Sequence, residues 1–332
     1  MKKFIALLLA VMMVASLAAC GTNDDGGSGS ADMAEGVDYS TWTLDELKAE
    51  IKTVNEGKLT VATSPDFAPY EFYALDEDGN PTLSGFDIAL AQYIADQLDL
   101  ELEVIPMDFD GTIAELGNKS VDLALAGYSP SPERESLMNF SELYYMGGQS
   151  FVTSADKAGE ITSMEAANDA KYQIGAQVGS IQVGLAEENT PDADIVQLTK
   201  VTDIIAELLS GKLDGAFIET AVAESYMKNY PDLKIVCDVP YDQEGSAIGV
   251  NKDNAALLAA VNLIIKQVLA DGTMDQFVAD ANELASGNVY EGLLDEDGKV
   301  AEEADAEEAP AEGEEVPTEE APAESEEPAS NG

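Results

Sequence analysis

The chain has no histidine, a single arginine (Arg134) and only two cysteines (Cys20 and Cys237) among its 332 residues. The absence of histidine excludes Ser-His-Asp catalysis, zinc sites built on histidine and haem ligation by histidine. Two cysteines are too few for a metal cluster or a disulfide framework. We expect no cofactor, no metal site and no catalytic residue; an enzyme that uses Glu71, Glu219, Asp66 or a tyrosine as general acid or base is the alternative.

Positive charge is scarce as well. The sequence carries 16 lysines and arginines against 65 aspartates and glutamates, which gives a formal net charge of -49. Such an acidic chain repels phosphate backbones, so nucleic acid is excluded as a partner. Because every other basic residue is a lysine, the single arginine is the most distinctive feature of the composition.

The first twenty residues have the pattern of an export signal. Two lysines precede the apolar run Phe4–Ala15, which is shorter than the roughly 20 residues of a membrane-spanning helix. The following Leu17-Ala-Ala-Cys20 resembles the bacterial lipobox, whose cysteine is lipidated; an ordinary signal peptide that ends near a cysteine is the alternative. The resemblance implies that lipidated Cys20 anchors the protein to the outer face of the bacterial cytoplasmic membrane.

Three further segments lie outside the core. Residues 21–37 are rich in Gly, Ser and Asp and predict a flexible tether. Residues 38–56 predict an N-terminal helix, with Thr43 and Glu46 as a capping box. Residues 295–332 hold sixteen acids and one lysine among Ala and Pro, which predicts a disordered acidic tail. The tail serves either as a solvated spacer, which we favour, or as an interaction segment.

The core alternates short apolar runs with amphipathic ones, which predicts an α/β fold with doubly wound parallel sheets. The predicted strands are Lys58–Thr63, Glu101–Pro106, Val121–Ala126, Tyr172–Ala176, Asp194–Leu198, Gly215–Ile218 and Leu233–Cys237. The predicted helices are Thr43–Asn55, Gly85–Leu98, Phe109–Gly117, one that starts at Ser180, Val201–Ser210, Ala221–Asn229, Asn254–Asp271 and Thr273–Ser286.

One segment recurs within the core. Residues 113–127 align without a gap with residues 205–219, and the matches include Ile-Ala-Glu-Leu and a later Asp. Either two helix–turn–strand units are similar by chance, or the core has two lobes of like construction. Ligands of open α/β sheets bind at the carboxyl ends of strands, and pockets favour domain interfaces. Two such lobes would place both strand ends on one cleft.

The segment Ala126–Arg134 follows the first of these strand ends. Gly127 and Ser129 leave backbone groups free in a turn, and Ser131 is a candidate N-cap for a short helix that Pro132 begins. Free amides, a helix N-terminus and the guanidinium of Arg134 together suit a carboxylate. The alternative is a surface arginine paired with Glu133 or Glu135.

Three further candidates follow other strands. Gly179-Ser180 opens a helix that could donate N–H groups to the same anion. Glu219 ends an apolar strand, where a carboxylate needs a cation such as an α-ammonium group; its alternative role is an N-cap for the next helix. Phe67 follows the first strand and either covers an aliphatic ligand or packs in the core.

An ordered set of motifs over residues 57–290 makes the chain resemble the extracellular solute-binding proteins of polar amino acid ABC importers (family 3). The motifs are Ser64–Phe72, Gly85-Phe-Asp-Ile, Asp108-Phe-Asp-Gly, Ala126–Arg134, Asn139-Phe-Ser-Glu with Tyr144-Tyr145, Gly179-Ser-Ile-Gln and Gly211-Lys-Leu-Asp-Gly. The resemblance implies a type II periplasmic-binding-protein fold with two doubly wound lobes joined by two hinge strands. It also implies a monomeric receptor that binds an amino acid between the lobes and delivers it to an ABC transporter permease.

The resemblance assigns a role to each candidate residue. Arg134 would bind the ligand α-carboxylate, aided by the backbone of Ser129, Ser180 and Ile181. Glu219 and the carbonyl of Gly127 would bind the α-ammonium group, and Phe67 and Phe109 would flank the ligand side chain. Three departures stand out: Glu219 replaces the usual Asp, Ile181 replaces the usual Thr, and Ser64 replaces an acid that binders of basic amino acids use. The last departure makes lysine or arginine a less expected ligand.

The resemblance also implies a chain that crosses twice between lobes. Lobe 1 would comprise residues 57–151 and 249–294, and lobe 2 residues 152–248, with hinges at Phe151–Ser154 and Ala247–Val250. Cys237 would be an unpaired, buried strand residue. Two other functions stay open: an exported enzyme on the same fold, such as a dehydratase, and a ligand-sensing docking lipoprotein.

Overall fold

The computed structural model describes residues 37–76, 78–241 and 245–286. The predictions for the export signal, the lipidation of Cys20, the tether up to residue 36 and the acidic tail lie outside these ranges. The described residues from Tyr39 onward belong to one compact unit.

Strands and helices alternate through most of the described chain. The strands are β1 (Lys58–Thr63), β2 (Asp66–Phe67), β3 (Glu71–Leu75), β4 (Pro81–Ser84), β5 (Glu101–Pro106), β6 (Leu123–Tyr128), β7 (Asn139–Tyr145), β8 (Gln149–Ser154), β9 (Gln173–Gln177), β10 (Asp194–Leu198), β11 (Gly215–Glu219), β12 (Leu233–Asp238) and β13 (Ser246–Val250). The helices are α1 (Leu44–Glu50), α2 (Phe86–Gln97), α3 (Phe109–Gly117), α4 (Met164–Ala167), α5 (Ile181–Asn189), α6 (Val201–Ser210), α7 (Thr220–Asn229), α8 (Ala255–Asp271) and α9 (Thr273–Ala285), with a 3₁₀ turn at Arg134–Ser136.

Two five-stranded sheets form the framework. The first has the order β5-β1-β6-β13-β7 and the second the order β10-β9-β11-β8-β12, and β2-β3-β4 form a small separate sheet. We call the parts of the chain built on the first and second sheets lobe 1 and lobe 2. Both sheets are mixed, because β13 runs antiparallel to β6 and β7, and β8 runs antiparallel to β11 and β12. The strands predicted from the sequence pattern run parallel as expected, and the antiparallel pairing comes from β7, β8 and β13, which that pattern did not predict.

The chain leaves the first sheet after β7 and the second sheet after β12, which differs from the predicted hinges. All of β8 pairs within the lobe 2 sheet, and all of β13 pairs within the lobe 1 sheet. Phe151–Ser154 and Ala247–Val250 are thus regular strand residues, and each crossing comes a few residues earlier than expected. The lobe boundaries move to the same positions.

The internal repeat corresponds to a repeated unit of structure. Helices α3 and α6 begin 92 residues apart, as do strands β6 and β11, and both strands occupy the centre of their sheets. The matched aspartates also have the same role. Asp122 accepts the Thr60 N–H at 2.9 Å, and Asp214 accepts the Gln173 N–H at 2.9 Å, so each ties its own sheet to the start of the neighbouring strand.

The N-terminal helix is shorter than predicted. Thr43 and Glu46 form the expected capping box, but α1 ends at Glu50 because Ile51 has extended backbone. The Val54 N–H then donates to Asp122 Oδ1 at 2.8 Å, so this stretch is held by lobe 1 in a non-helical conformation.

No single helix in the described ranges is long and apolar enough to cross a membrane. Helices α8 and α9 meet that criterion only when taken together, and they meet at a bend of 79°.

Candidate functional site

The carboxyl ends of β1, β6 and β9 converge on a cavity between the two lobes. The sequence predicted eight ligand-binding residues. Seven of them line the cavity, and Glu219 does not. The lining residues are Phe67, Phe109, Ala126, Gly127, Ser129, Arg134, Gln177, Ser180, Ile181 and Gln182. The cavity has a volume of about 10 Å³, which is the space of roughly one water molecule. The lobes are therefore closed on each other in this structure.

Arg134 reaches both lobes from the turn that follows β6. Its Nη1 donates to the carbonyl of Ser129 at 3.1 Å in lobe 1, and its Nη2 donates to the carbonyl of Gly179 at 2.9 Å in lobe 2. The guanidinium also lies between two aromatic rings, 5.4 Å from the centroid of Phe109 and 5.6 Å from that of Tyr128. Rings at this distance stabilise a cation and fix the plane of the fork.

The charge of Arg134 is buried without an ion pair among the described residues. The residue is 7% exposed, and burial lowers the pKa of its guanidinium from the ordinary value. The alternative of a surface pair with Glu133 or Glu135 is therefore wrong. A buried guanidinium that has only carbonyl partners is a site for an added anion, because a carboxylate binds it more strongly than neutral oxygens do.

The helix predicted to begin at Pro132 is only a turn of 3₁₀ helix at Arg134–Ser136. Ser131 still accepts the Arg134 N–H through its Oγ at 3.3 Å. It therefore fixes the backbone of the arginine, but this turn offers no helix N-terminus to an anion.

Lobe 2 supplies a true helix N-terminus at α5. Ser180 occupies the N-cap position with extended backbone, but its side chain does not cap the helix; its Oγ donates instead to the carbonyl of Gln177 at 2.7 Å. The first N–H groups of α5, beginning at Ile181, thus have no capping side chain and adjoin Arg134. Such donors favour an anion at this position.

Gly127 lies at the end of β6 in a conformation that suits glycine. Its φ is +58°, and a Cβ atom there would lie 2.8 Å from the ring of Phe67. Its N–H donates to Asp87 Oδ2 at 3.2 Å. The absence of a side chain therefore lets Phe67 pack directly on the strand end.

Phe67 and Phe109 both line the cavity and both pack in apolar cores. Phe67 also contacts the ring of Tyr70 at a centroid distance of 5.2 Å, and Phe109 belongs to a cluster under α3. The predicted choice between covering a ligand and packing in the core is therefore not exclusive for Phe67.

Glu219 does not line the cavity. It ends β11, and its Oε2 caps α7 by accepting the Val222 N–H at 2.9 Å, while its Oε1 accepts the Gly148 N–H at 3.4 Å. The alternative role of N-cap is thus correct. Glu219 is 3% exposed and has no ion pair among the described residues. Burial raises the pKa of its carboxyl to about 7, although the helix N–H groups act in the opposite direction.

A buried carboxyl pair lies behind the strand end of β6. Asp87 Oδ2 accepts hydrogen bonds from the Gly127 N–H at 3.2 Å and from the Tyr144 hydroxyl at 2.9 Å. Both oxygens of Glu71 and Oδ1 of Asp87 have no hydrogen-bond partner among the described residues. Burial, with the charge of Asp87 second, raises the pKa of Glu71 well above its ordinary value. A proton between the two carboxyl groups satisfies both.

Three residues of this region are not among the ligand-binding residues predicted from the sequence. Gln177 lies at the end of β9, so the rule that ligands bind at strand ends could have found it. Gln182, in the first turn of α5, donates to Gln149 Oε1 at 2.8 Å. Asp66 in β2 contacts lobe 2 directly, with its Oδ2 2.5 Å from the Val201 nitrogen.

Two other features are separate from this site. Cys237 is unpaired as predicted but half-exposed, which corrects the expectation that it is buried. A larger cavity of about 320 Å³ lies beside α1 and the amino-terminal end of β1, where Lys48 and Lys52 line it together with Leu98 and Leu100. Within the described ranges, no group of His, Cys, Asp and Glu could hold a metal ion.

The fold and the cavity define a class: two α/β lobes, linked by two crossings, that close on a small site with a buried arginine. Residues 59–280 match the model of the bacterial extracellular solute-binding proteins, family 3. The chain belongs to this family, and its fold is the type II periplasmic-binding-protein fold.

Individual relatives are similar over most of the chain. The arginine-binding extracellular protein ArtP of Bacillus subtilis is 30% identical over 281 residues, which cover 83% of this chain and 96% of ArtP. The amino acid ABC transporter substrate-binding protein AbpA of Streptococcus pneumoniae, solved with bound L-arginine, has a TM-score of 0.67 and 31% identity, and the match covers 74% of this chain and 100% of AbpA. AncCDT-1, described as an ancestral amino acid-binding protein and a precursor of cyclohexadienyl dehydratase, has a TM-score of 0.61 and 30% identity; the match covers 71% of this chain and 98% of AncCDT-1.

Proposed function

We propose that this protein is a non-enzymatic receptor that binds an α-amino acid between its lobes and delivers it to an ABC transporter permease. The buried guanidinium of Arg134 carries the proposal, because it lies at the closed cavity with only carbonyl partners. A ligand carboxylate would replace the Gly179 carbonyl as the partner of Nη2. It would also receive the N–H groups at the start of α5.

The α-ammonium group has Glu219 and the Gly127 carbonyl as its proposed partners. Glu219 is buried and has no ion pair among the described residues, which leaves a carboxyl group able to pair with a cation on the lobe 2 side of the cleft. Because Glu219 stands outside the lining of the closed cavity, the ligand has to separate the lobes slightly to reach it. The small volume of the cavity requires the same separation.

Two observations point to different ligand side chains. ArtP is described as arginine-binding and AbpA was solved with L-arginine, whereas Ser64 lacks the carboxylate that the resemblance associates with basic ligands. Asp66 lies two residues further on, but Ser64, Val201 and Gln177 already donate hydrogen bonds to its two oxygens. We therefore propose that the ligand is an α-amino acid. A binding screen against the twenty amino acids would identify its side chain.

Localisation is part of the same proposal. The family is extracellular by description, and we propose that lipid on Cys20 holds the receptor, as a monomer, at the outer face of the cytoplasmic membrane. Metabolic labelling with a radioactive fatty acid tests this point: wild-type protein should incorporate label, and a Cys20→Ser variant should not.

A thermal-shift screen against the twenty amino acids, followed by calorimetry on the hits, tests the proposed function. Arg134→Ala should weaken binding by at least a hundredfold, because it removes a bidentate charged partner. Arg134→Lys keeps the charge without the planar fork and should retain only part of the affinity. Near-native affinity of Arg134→Ala would contradict the site assignment, and conversion of a bound ligand during long incubation would favour an enzyme.

A further inference from the structure

Helix α6 of lobe 2 begins without a capping side chain of its own. Its N-cap residue is Lys200, whose side chain has no acceptor and makes no capping hydrogen bond. The first N–H groups of a helix need acceptors from outside the helix. The acceptor for Val201 comes from the opposite lobe, since Asp66 Oδ2 lies 2.5 Å from the Val201 nitrogen.

Asp66 is held in place for this contact by its own lobe. The Ser64 hydroxyl donates to Asp66 Oδ1 at 2.8 Å, and the Asp66 N–H donates to the Ser64 carbonyl at 2.8 Å. One carboxylate oxygen is thus bonded within lobe 1, and the other faces lobe 2. Burial raises the pKa of Asp66 to about 6, against the effect of its hydrogen bonds and of Lys200, so the carboxyl is mainly ionised at pH 7.5.

Two other elements of lobe 2 bind the same residue. Gln177, at the end of β9, donates from its Nε2 to Asp66 Oδ2 at 3.2 Å and to the Thr199 carbonyl at 3.1 Å. The Tyr226 hydroxyl, on α7, donates to the Asp66 carbonyl at 3.2 Å. A single residue of lobe 1 therefore joins the start of α6, the end of β9 and the face of α7.

None of these contacts requires a ligand. Asp66 is not among the residues that line the cavity, and its partners lie entirely within the protein. Each hydrogen bond between the lobes exists only while the lobes are together, because Asp66 is in lobe 1 and its partners, 111 to 160 residues further along the chain, are in lobe 2.

We propose that Asp66 is an interlobe latch that caps α6 across the cleft and so stabilises the closed state in the absence of ligand. The latch is a property of the protein alone, so it holds whether or not the proposed amino acid ligand is correct. Loss of a helix cap should lower the ratio of closed to open molecules by about threefold to thirtyfold. If a ligand binds only the closed state, its apparent affinity is proportional to the fraction of molecules that are closed. The affinity should therefore decrease by the same factor as that fraction.

The test compares variants of the full chain without ligand at pH 7.5, by small-angle X-ray scattering and by hydrogen exchange at the first turn of α6. Asp66→Ala removes the acceptor and should increase both the radius of gyration and the exchange at Val201. Asp66→Asn keeps an oxygen acceptor for Val201 and should stay close to wild type. Thr43→Ala is the matched control: it removes a cap from α1 within lobe 1 and should lower the melting temperature without opening the lobes.

Lys200→Asp is a second variant that does not depend on how well Asp66→Ala folds. It gives α6 a local N-cap and places a negative charge beside Asp66, so it should also open the lobes while the helix stays intact. The latch is contradicted if Asp66→Ala and Lys200→Asp both leave the radius of gyration unchanged. A wild-type protein as open as Asp66→Ala, or an equal opening in Thr43→Ala, would contradict it as well. Amino acid binding is measured separately by calorimetry, so failure of the latch and failure of the proposed function give different results.

Discussion

Arg134 and Glu219 are opposite charges that the fold buries without giving either one an ion pair among the described residues. Burial of an isolated charge is unfavourable, so both groups are shifted toward neutrality: the pKa of Arg134 is lowered and that of Glu219 is raised to about 7. In the proposed function, a zwitterionic ligand would supply the missing partner of each. The electrostatics of such a site would be complete only when the ligand is bound.

The raised pKa of Glu219 predicts a pH-dependent affinity. Only the ionised carboxylate attracts an ammonium group, so binding should tighten by about tenfold from pH 6 to pH 8 and release protons near pH 7. Calorimetry in buffers of different ionisation enthalpy measures both effects. Glu219→Gln should abolish the pH dependence, whereas Glu224→Gln, an exposed position on the same helix, should preserve it. A pH-independent wild type would argue against Glu219 as the partner.

The Glu71–Asp87 pair predicts a pH effect on stability. The pKa of Glu71 lies above its value of 4.5 in the unfolded chain, so the folded protein retains a proton that the unfolded chain loses. The stability from this group is complete below that value and is lost as the pH rises through the folded pKa. Glu71→Gln, which donates a permanent N–H to Asp87, should reduce this loss.

Thermal unfolding between pH 5 and pH 9 checks the prediction for Glu71. Glu71→Gln should melt at or above the wild-type temperature at pH 9, and Glu71→Ala, which lacks any donor, should melt lower throughout. Equal pH profiles for wild type and Glu71→Gln would mean that the proton is not held at this pair.

At the scale of elements, the repeated helix–strand unit explains why Asp122 and Asp214 recur at the same offset. Each carboxylate accepts an N–H from a neighbouring parallel strand, one residue before the pairing between that strand and the strand after the aspartate begins. Asp214 also pairs with Lys157 at 2.7 Å. The recurrence in the sequence thus reflects a structural requirement of each sheet rather than ligand binding.

Asp214→Ala should lower the free energy of unfolding by about 1–3 kcal/mol, because it leaves the Gln173 N–H and Lys157 without their partner. Urea denaturation measures the change. Asp156→Ala, an exposed position in the same lobe, should change stability little. A change as small in Asp214→Ala as in the control would show that water replaces the carboxylate at no cost.

The sequence pattern predicted β1, β5, β6, β9, β10, β11 and β12, each with apolar residues along the strand. It did not predict β2, β3, β4 or β7, and it reached β8 and β13 only as the hinge strands that the resemblance implies. Strand β8 has the sequence Gln-Ser-Phe-Val-Thr-Ser and is buried along its whole length. Its polar side chains are satisfied inside the protein: Thr153 donates to the Asp214 carbonyl at 2.6 Å, and Ser150 bonds to Thr220 at 2.9 Å. Because those partners are distant in sequence, hydropathy alone does not reveal the strand.

In the site, too, residues with a local sequence signal could be predicted, and contacts between distant residues could not. Arg134 was predictable because it is the only arginine and follows a strand end, and both signals are local. The cap that Asp66 gives to Val201 was not predictable, because it joins residues 135 positions apart on different lobes. Contacts of this kind depend on how the lobes meet, which is a property of the whole molecule.

At that scale, the closed state depends on close contacts at the crossings between lobes. Gly147 lies in the first crossing, at residues 146–148. A Cβ atom there would lie 2.6 Å from Oε1 of Glu219 in lobe 2 and 2.9 Å from the Tyr70 hydroxyl in lobe 1. Contacts below 3 Å with groups of both lobes mean that even a methyl group would hold the lobes apart.

Gly147→Ala should therefore weaken ligand affinity by about fivefold to a hundredfold, the equivalent of about 1–3 kcal/mol of overpacking. The separate lobes should remain folded, because the contact with Tyr70 in lobe 1 forms only on closure and the Glu219 side chain can move. Scattering with saturating ligand should give a larger radius of gyration than wild type. Gly184→Ala, in α5 with open space around it, is the matched control and should bind normally and gain about 0.5–1 kcal/mol of stability. Native affinity in Gly147→Ala would show that Glu219 and Tyr70 move aside on closure, and that the crossing does not limit how tightly the lobes meet.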